Sequence, residues 1–274
     1  MAERPSPPID ASSRDLELLD AANLVVYRDS TLRAGGQVAE LDGLILIIGT
    51  HPSPVIVNTI LRTGPVADPG AALKRAIAVY DSIGHGVSLV TSSHADGPLA
   101  AVAAAAGWTS VFELVGMILD APIALGETTA GVRVFLADPV TDLAAVCDVE
   151  VNGFAESEDE RSMARSVFSD PDSIGGPGTA AFLAEVESPD GRREVASAAI
   201  VDRGPAALIS WVATRPEFRR RGLGGLVTMA AANRGFEMGC PAVVLQASPM
   251  GLPVYRRLGF RPLNRYQIWE PPKG

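Results

Sequence analysis

The stretch ALISWVATRPEFRRRGLGG, Ala207 to Gly225, narrows what this chain can fold into more than any other segment. Leu208, Ile209, Trp211 and Val212 are large or β-branched apolar residues in a short run, which reads as a buried strand. Arg215-Pro216 ends it, because proline supplies no N–H to a ladder. Gly222, Gly224 and Gly225 let backbone come close to a ligand, and the helical pattern of Leu226, Val227, Met229 and Ala230 follows at once. A helix that begins this way presents unpaired amides to an anion. The helix dipole adds roughly 0.3–1 kcal/mol for a nearby negative charge, and Arg219, Arg220 and Arg221 add positive charge that does not titrate. A pyrophosphate suits such a place; a solvated basic turn before an ordinary helix is the plainer reading.

Two common phosphate loops fail on residues. A Walker loop needs Lys then Ser or Thr after its last glycine, where Leu226 and Val227 stand, and a dinucleotide fingerprint from Gly222 needs a third glycine at Val227. The order apolar strand, proline, then Arg-x-x-Gly-x-Gly at Arg219 to Gly224 resembles the acetyl-coenzyme A loop of the GNAT superfamily of N-acetyltransferases. The resemblance implies that main-chain groups of Val212, Ala213 and Thr214 pair with the pantetheine arm. It also implies that Arg219, Arg220, Arg221, Gly222, Leu223, Gly224 and Gly225 surround the pyrophosphate.

Downstream, Val243 to Ala247 reads as another buried strand, and Leu252 to Phe260 as a short helix closed by glycine. This segment is similar to the family's Leu-Tyr-x-x-x-Gly-Phe helix, with Val254 in place of the leucine. The position matching the family's general acid is Tyr255, which would protonate the departing thiolate; a phenol of reference pKa about 10 stays a donor at neutral pH. Core packing is the alternative role for such a tyrosine. Ser248, Pro249 and Pro253 depart from the family's pattern here.

The two halves share an ending. Leu99 to Gly107-Trp108, a strand from Val111 to Leu119, then Asp-Ala-Pro, is repeated about 150 residues later, roughly one domain length, by Val254 to Gly259-Phe260, Tyr266 to Trp269 and Glu-Pro-Pro. In the first half Leu44 to Gly49 and Pro54 to Leu61 read as strands. Asp68-Pro69 opens a helix through Tyr80, and Val87 to Thr91 reads as a strand. The expected class is α/β (α+β): two GNAT-like domains, each a mixed, mostly antiparallel central sheet flanked by helices. The expected layout is a flexible leader 1–12, a degenerate domain 13–122, a linker 123–130 and an acetyltransferase domain 131–274. In the latter, Val132 to Leu136 reads as a strand, Thr141-Asp142 opens a helix and Glu156 to Phe168 is a second one. Ala180 to Val186 and Glu194 to Asp202 join through a Ser-Pro-Asp-Gly hairpin turn. The first half lacks Arg-x-x-Gly-x-Gly in RTGPVADPGA, carries Asp68 where a pyrophosphate would sit, and has Ala103 at the position of Tyr255. It is expected not to bind acetyl-coenzyme A, and serves either as support or as one wall of the acceptor pocket.

The function implied is acetyl transfer from acetyl-coenzyme A, as co-substrate, to an amine-bearing acceptor by direct attack; an acetyl-coenzyme A sensor or scaffold without turnover is the alternative. Ala206 to Thr214 contains no carboxylate to act as base. Glu156, Glu158, Asp159 and Glu160, or Glu185 and Glu194, could act through water, or the cluster could be a solvated helix start. Trp211 could line an acceptor pocket or pack in the core. His51, His85 and His94 lack metal-ligand spacing, and Cys147 and Cys240 form no disulfide framework, so no metal is expected. A net charge of −9 argues against a nucleic-acid surface. No run reaches the roughly 18 apolar residues of a membrane helix, and the N-terminus lacks a signal-peptide core, which points to the cytoplasm.

Overall fold

A computed structural model of the chain describes residues 11–54, 57–124, 130–154, 157–168, 171–188 and 191–272. The leader to residue 10, most of the proposed linker, Glu156 and the Pro189-Asp190 pair of the expected hairpin turn lie outside the described residues. The first half runs α1 (Ser13–Arg33), β1 (Gln37–Leu41), β2 (Leu44–Ile48), β3 (Asn58–Arg62), α2 (Pro69–Ile83), β4 (Ser88–Ser92), α3 (Gly97–Ala105) and β5 (Thr109–Leu119). The second runs β6 (Val132–Leu136), α4 (Leu143–Phe154), α5 (Glu158–Val167), α6 (Asp172–Gly175), β7 (Thr179–Ser188), β8 (Gly191–Val201), β9 (Ala207–Thr214), a 3₁₀ turn Pro216–Phe218, α7 (Leu223–Glu237), β10 (Val243–Ala247), α8 (Leu252–Arg257) and β11 (Arg261–Glu270). No helix among the described residues is long and apolar enough to cross a membrane.

The repeat read from the sequence is real in three dimensions. An antiparallel pair, a helix, a parallel strand, a short helix and a last strand recur as β2-β3-α2-β4-α3-β5 and β8-β9-α7-β10-α8-β11. Each short helix closes alike: Gly107 and Gly259 take φ of 81° and 95°, and the Trp108 and Phe260 amides donate to the carbonyls of Ala103 and Tyr255, both at 3.0 Å. Only glycine enters the left-handed region without a Cβ penalty, which explains the shared Gly-aromatic ending.

The halves do not form separate sheets. The described strands make one continuous sheet in the order β1-β2-β3-β4-β11-β5-β10-β9-β8-β7-β6. The last strands are exchanged. β11 of the second half lies antiparallel between β4 and β5, with Tyr266 opposite Ser92 and Leu114. β5 of the first half lies antiparallel between β11 and β10, with Met117 opposite Leu245. Each half therefore completes the other's pairing, so a boundary placed at 123–130 divides the chain but not the sheet.

Helix α1, strand β1 and the short α6 escape the sequence patterns. α1 is capped by Ser12, whose side chain accepts from the Asp15 amide, and it touches β1 and β2 as well as β5, β11, β10 and β9. Strands so far apart in the order meet one helix only if the sheet curls about it. Leu19, Ala22, Leu24, Val26 and Tyr27 consequently point into apolar surroundings on several sides, and no single hydrophobic stripe marks the helix. The third strand, β3, starts at Asn58, later than the expected Pro54. On the opposite face α7 covers β7, β8 and β9 around Val227, Ala231 and Ala232. α4 shares its face with α1, and Val146 and Val149 pack on Ala199 and Ala213.

Candidate active site

β9 and β10 are parallel neighbours only at their starts, where Ala207, Leu208 and Ile209 face Val243, Val244 and Leu245. Beyond Ile209 the strands part. The backbone groups of residues 210–214 that turn away from β8 then meet no strand, which leaves donors and acceptors for a ligand. A β-bulge begins the opening: Ser197 faces Ala213 but Ala199 faces Ser210, and Trp211 stands at φ 53°. A bulky residue in the left-handed region carries strain, held here by ring packing. The Trp211 ring meets Phe154 and Phe168 edge-on at 6.3 and 5.4 Å. It also lines a cavity of about 30 Å³ with Phe168, Ser210 and, from the first half, Val26 and Ser30 of α1. The ring thus packs against the core and borders this cavity as well.

The mouth of the opening is the start of α7. Its N-cap is Gly222 at φ 80°, which offers no capping side chain, and the first helical bond runs from the Leu226 amide to the Gly222 carbonyl at 3.1 Å. The amides of Leu223, Gly224 and Gly225 precede that bond and are left open. Arg220 is also left-handed at φ 63°, so the loop turns twice within three residues before the helix begins. A Cβ at Gly224 would sit 3.2 Å from the Thr214 hydroxyl, so the glycine keeps the loop close to the end of β9.

The three arginines have different surroundings. Arg219 turns inward and donates to the carbonyls of Gly153 at 2.7 Å and Thr214 at 3.2 Å, tying the end of α4 to the end of β9. Arg221 donates to the Glu217 carbonyl and lies over the Phe218 ring at 5.0 Å. Arg220 is exposed and makes no hydrogen bond or ion pair among the described residues. The sequence reading treated the three as one patch of charge; the structure makes Arg219 a clamp and leaves Arg220 as the free guanidinium.

Tyr255 reaches the same opening from α8. Val254 packs against Gly225 at the head of α7, since a Cβ there would meet the Val254 side chain at 3.5 Å. Tyr255 is 8 % exposed, lies edge-on to Phe260 at 6.1 Å, and its hydroxyl makes no hydrogen bond among the described residues. Burial, helped by the charge of Glu150, pushes the phenol up to about 12.

That Glu150 was not singled out from the sequence. It projects from α4 in the row Val146, Val149, Glu150 and Gly153, is 1 % exposed, and accepts a hydrogen bond from Ser197 of β8 on one carboxylate oxygen. The other oxygen is buried without a partner among the described residues. Burial raises its pKa well above the usual carboxylate range, and the Ser197 bond opposes this only in part. A carboxylate inside an apolar i, i+3, i+4, i+7 stripe was the available signal.

The acids that were named lie elsewhere. Ser157 and Glu160 form a reciprocal capping box on α5, and Glu158 pairs with Arg165 at 2.9 Å. That is the helix-start role. Asp159 lies 3.7 Å from His51 of the first half. Glu185 is held below the usual carboxylate range by Arg192, with Arg133 also paired to it, and Glu194, half-buried on β8, accepts from Arg215 through its main-chain carbonyl only, among the described residues.

The first half shows what the second would be without its loop. β3 and β4 also part, after Ile60 and Leu89, beside a cavity of about 260 Å³ lined by Arg62, Pro65, Pro69 and Asp96. Here the helix start is closed. Asp68 caps α2 by accepting from the Ala71 amide at 2.9 Å, Pro69 removes another donor, and Arg62 is paired with Asp96.

The profile of the acetyltransferase (GNAT) family matches residues 154–260, which spans the loop and α8. Among solved structures the chain is similar to a GCN5-related N-acetyltransferase from Kribbella flavida at 20 % identity, covering 93 % of this chain and 96 % of that one with a TM-score of 0.72. A tandem GNAT protein from the clavulanic acid biosynthesis pathway superposes at 0.62 with 18 % identity, covering 97 % and 98 %. A GCN5-related N-acetyltransferase from Sphaerobacter thermophilus gives 0.59 at 17 %, covering 92 % and 89 %. No curated protein sequence matches the chain. With the repeated architecture and the parted strands, residues 154–260 match the model of the acetyltransferase (GNAT) family, and the chain as a whole has the α/β fold of two GNAT-like units.

Proposed function

We propose that this protein is an N-acetyltransferase that moves an acetyl group from acetyl-coenzyme A to an amine, with its site in the second half. The observation that carries the reading is the uncapped start of α7, opening onto backbone that β9 no longer shares with β10. The fit to a long, polar, diphosphate-bearing co-substrate is chemical. The open amides of Leu223, Gly224 and Gly225 suit pyrophosphate oxygens, and Arg220 supplies a free charge beside them. Val212, Ala213 and Thr214 offer main-chain donors and acceptors to the amides of the pantetheine arm. Bound there, the co-substrate supplies a thioester whose carbonyl an amine can attack.

Tyr255 suits the proton donor to the thiolate, because a phenol at about 12 is fully protonated at working pH while a thiolate accepts its proton on leaving. The first half contributes α1 to the wall beside Trp211, so it both supports the site and shapes its acceptor side. Its own cleft, closed by Asp68 and by the Arg62–Asp96 pair, is not assigned to acetyl-coenzyme A. Two unpaired cysteines, Cys147 and Cys240, agree with a reducing cytoplasm.

The test is release of free thiol from acetyl-coenzyme A with a panel of amines, comparing wild type with Tyr255→Phe. A loss of about 10²-fold in kcat with little change in KM for acetyl-coenzyme A is expected. Full activity in the variant would remove Tyr255 from the chemistry. Binding without turnover of any amine would favour a sensor.

A further inference from the structure

Glu150 is the buried carboxyl that neither the fold nor the loop needs. Ser197, its hydrogen-bond donor, stands opposite Ala213 in the β8–β9 register, and Gly153, one turn along α4, packs so closely on Ala213 that a Cβ would lie 2.7 Å from its Cβ. The carboxyl is therefore held at the level of residues 212–214, where β9 has left β10. One of its oxygens is satisfied and the other, at 1 % exposure, has no partner among the described residues. An unpaired buried acceptor costs about 1–3 kcal/mol, more if charged, and a cationic donor arriving in the opening would recover that cost.

From this geometry we infer that Glu150 is the proton acceptor for the acceptor amine, reached directly or through one water, so that the site selects acceptors bringing a cationic nitrogen. The inference rests on the acetyltransferase reading. An ammonium gives one proton to the Glu150 carboxylate. The neutral nitrogen forms the C–N bond at the thioester carbonyl, the C–S bond breaks, and sulfur takes the Tyr255 proton. The nitrogen's second proton restores the phenol, while Glu150 returns its proton to solvent. Atoms and charge balance with one proton released per turnover.

The charged and titratable groups around the carboxyl fit this division of work. On α4, Cys147 is uncharged in its apolar setting, its thiol raised chiefly by burial, and Asp148 is taken by Arg215. Arg219 is spent on backbone carbonyls at the end of the same helix. From α8 only Tyr255 senses Glu150. Among the described residues no cation is paired with the Glu150 carboxyl. A group with a raised pKa is the better base near neutrality, and desolvation supplies that shift.

The experiment is the pH dependence of kcat/KM for an amine the wild type acetylates, with wild type, Glu150→Gln and Ser197→Ala, alongside acetyl-coenzyme A affinity for each. Gln keeps an oxygen for Ser197 but cannot take a proton. The expected result is a fall of about 10²–10³ in kcat/KM and loss of the acid limb for Glu150→Gln, at unchanged acetyl-coenzyme A affinity. Ser197→Ala removes the one bond that stabilises the carboxylate, so its acid limb should move to higher pH. Retention of rate and acid limb in Glu150→Gln would overturn the inference while leaving the acetyltransferase reading intact. A wild type that binds acetyl-coenzyme A but acetylates no amine would bring down both.

Discussion

Single residues decide whether the helix start at either cleft is open or capped. Gly222 and Asp68 stand at equivalent helix starts, and one leaves amides open where the other fills them with its own carboxylate. Glu150 brings a cost that stability should register. Its folded pKa lies above its unfolded value, so the folded state holds its proton over a pH range where the unfolded chain has released it. Its contribution is fully present below the ordinary glutamate range and is lost as pH rises through the folded value. Glu150→Gln should therefore flatten the decline of Tm as pH rises above the ordinary glutamate range, and melting curves taken upward from that range check it; parallel declines in the two proteins would mean that the carboxyl titrates normally. Much at this scale was legible. The glycines and arginines of 219–225 are local signals whose meaning depends on neighbours in sequence, and they form the loop and helix start read from them. The inward turn of Arg219 was not legible, because its partner carbonyl at Gly153 comes from a helix 66 residues away. Glu150 left a signal in the apolar row of α4, but its bond to Ser197 of β8 is a tertiary fact.

Between elements, the site depends on how closely α4 approaches β9. Gly153 against Ala213 and Arg219 across the two ends hold that approach. Gly153→Ala places a methyl 2.7 Å from the Ala213 Cβ, both atoms carried by backbone, so helix and strand must separate. A net destabilisation of about 1–2 kcal/mol is expected after the helix-propensity gain, together with weaker acetyl-coenzyme A binding. Gly97→Ala is the control, since a Cβ there meets nothing within 4 Å. Denaturant unfolding of both variants decides; equal stability would show that α4 slides without consequence. Strands β7 to β10 and helix α7 were readable from period and punctuation. α1 was not, since a helix gripped from several sides shows no stripe, and the bulge at Trp211 leaves no mark in residue type.

The whole molecule is tied together by the exchanged strands. Without β11, β4 and β5 lose their common neighbour, and without β5, β10 becomes an open edge. The repeated Gly-aromatic ending made the two units visible in the sequence. Which half each last strand joins was not, because both choices satisfy the same alternation and only long-range packing separates them. Residues 11–124 or 130–272 expressed alone should therefore aggregate or fail to melt cooperatively, while the two co-expressed should purify as one complex. Cooperative melting of either piece alone would contradict that interdependence.

The central claim is that the second half receives acetyl-coenzyme A at the start of α7 and the first half does not. It is tested most directly by calorimetric titration of the full chain with acetyl-coenzyme A, beside a variant carrying Gly222→Val and Gly224→Val. Valine at φ 80° is strained, and a side chain at position 224 presses on Thr214. The account predicts saturable one-to-one binding by the wild type and its loss in a variant that still melts cooperatively. Undiminished binding in that variant, or two sites per chain in the wild type, would contradict it.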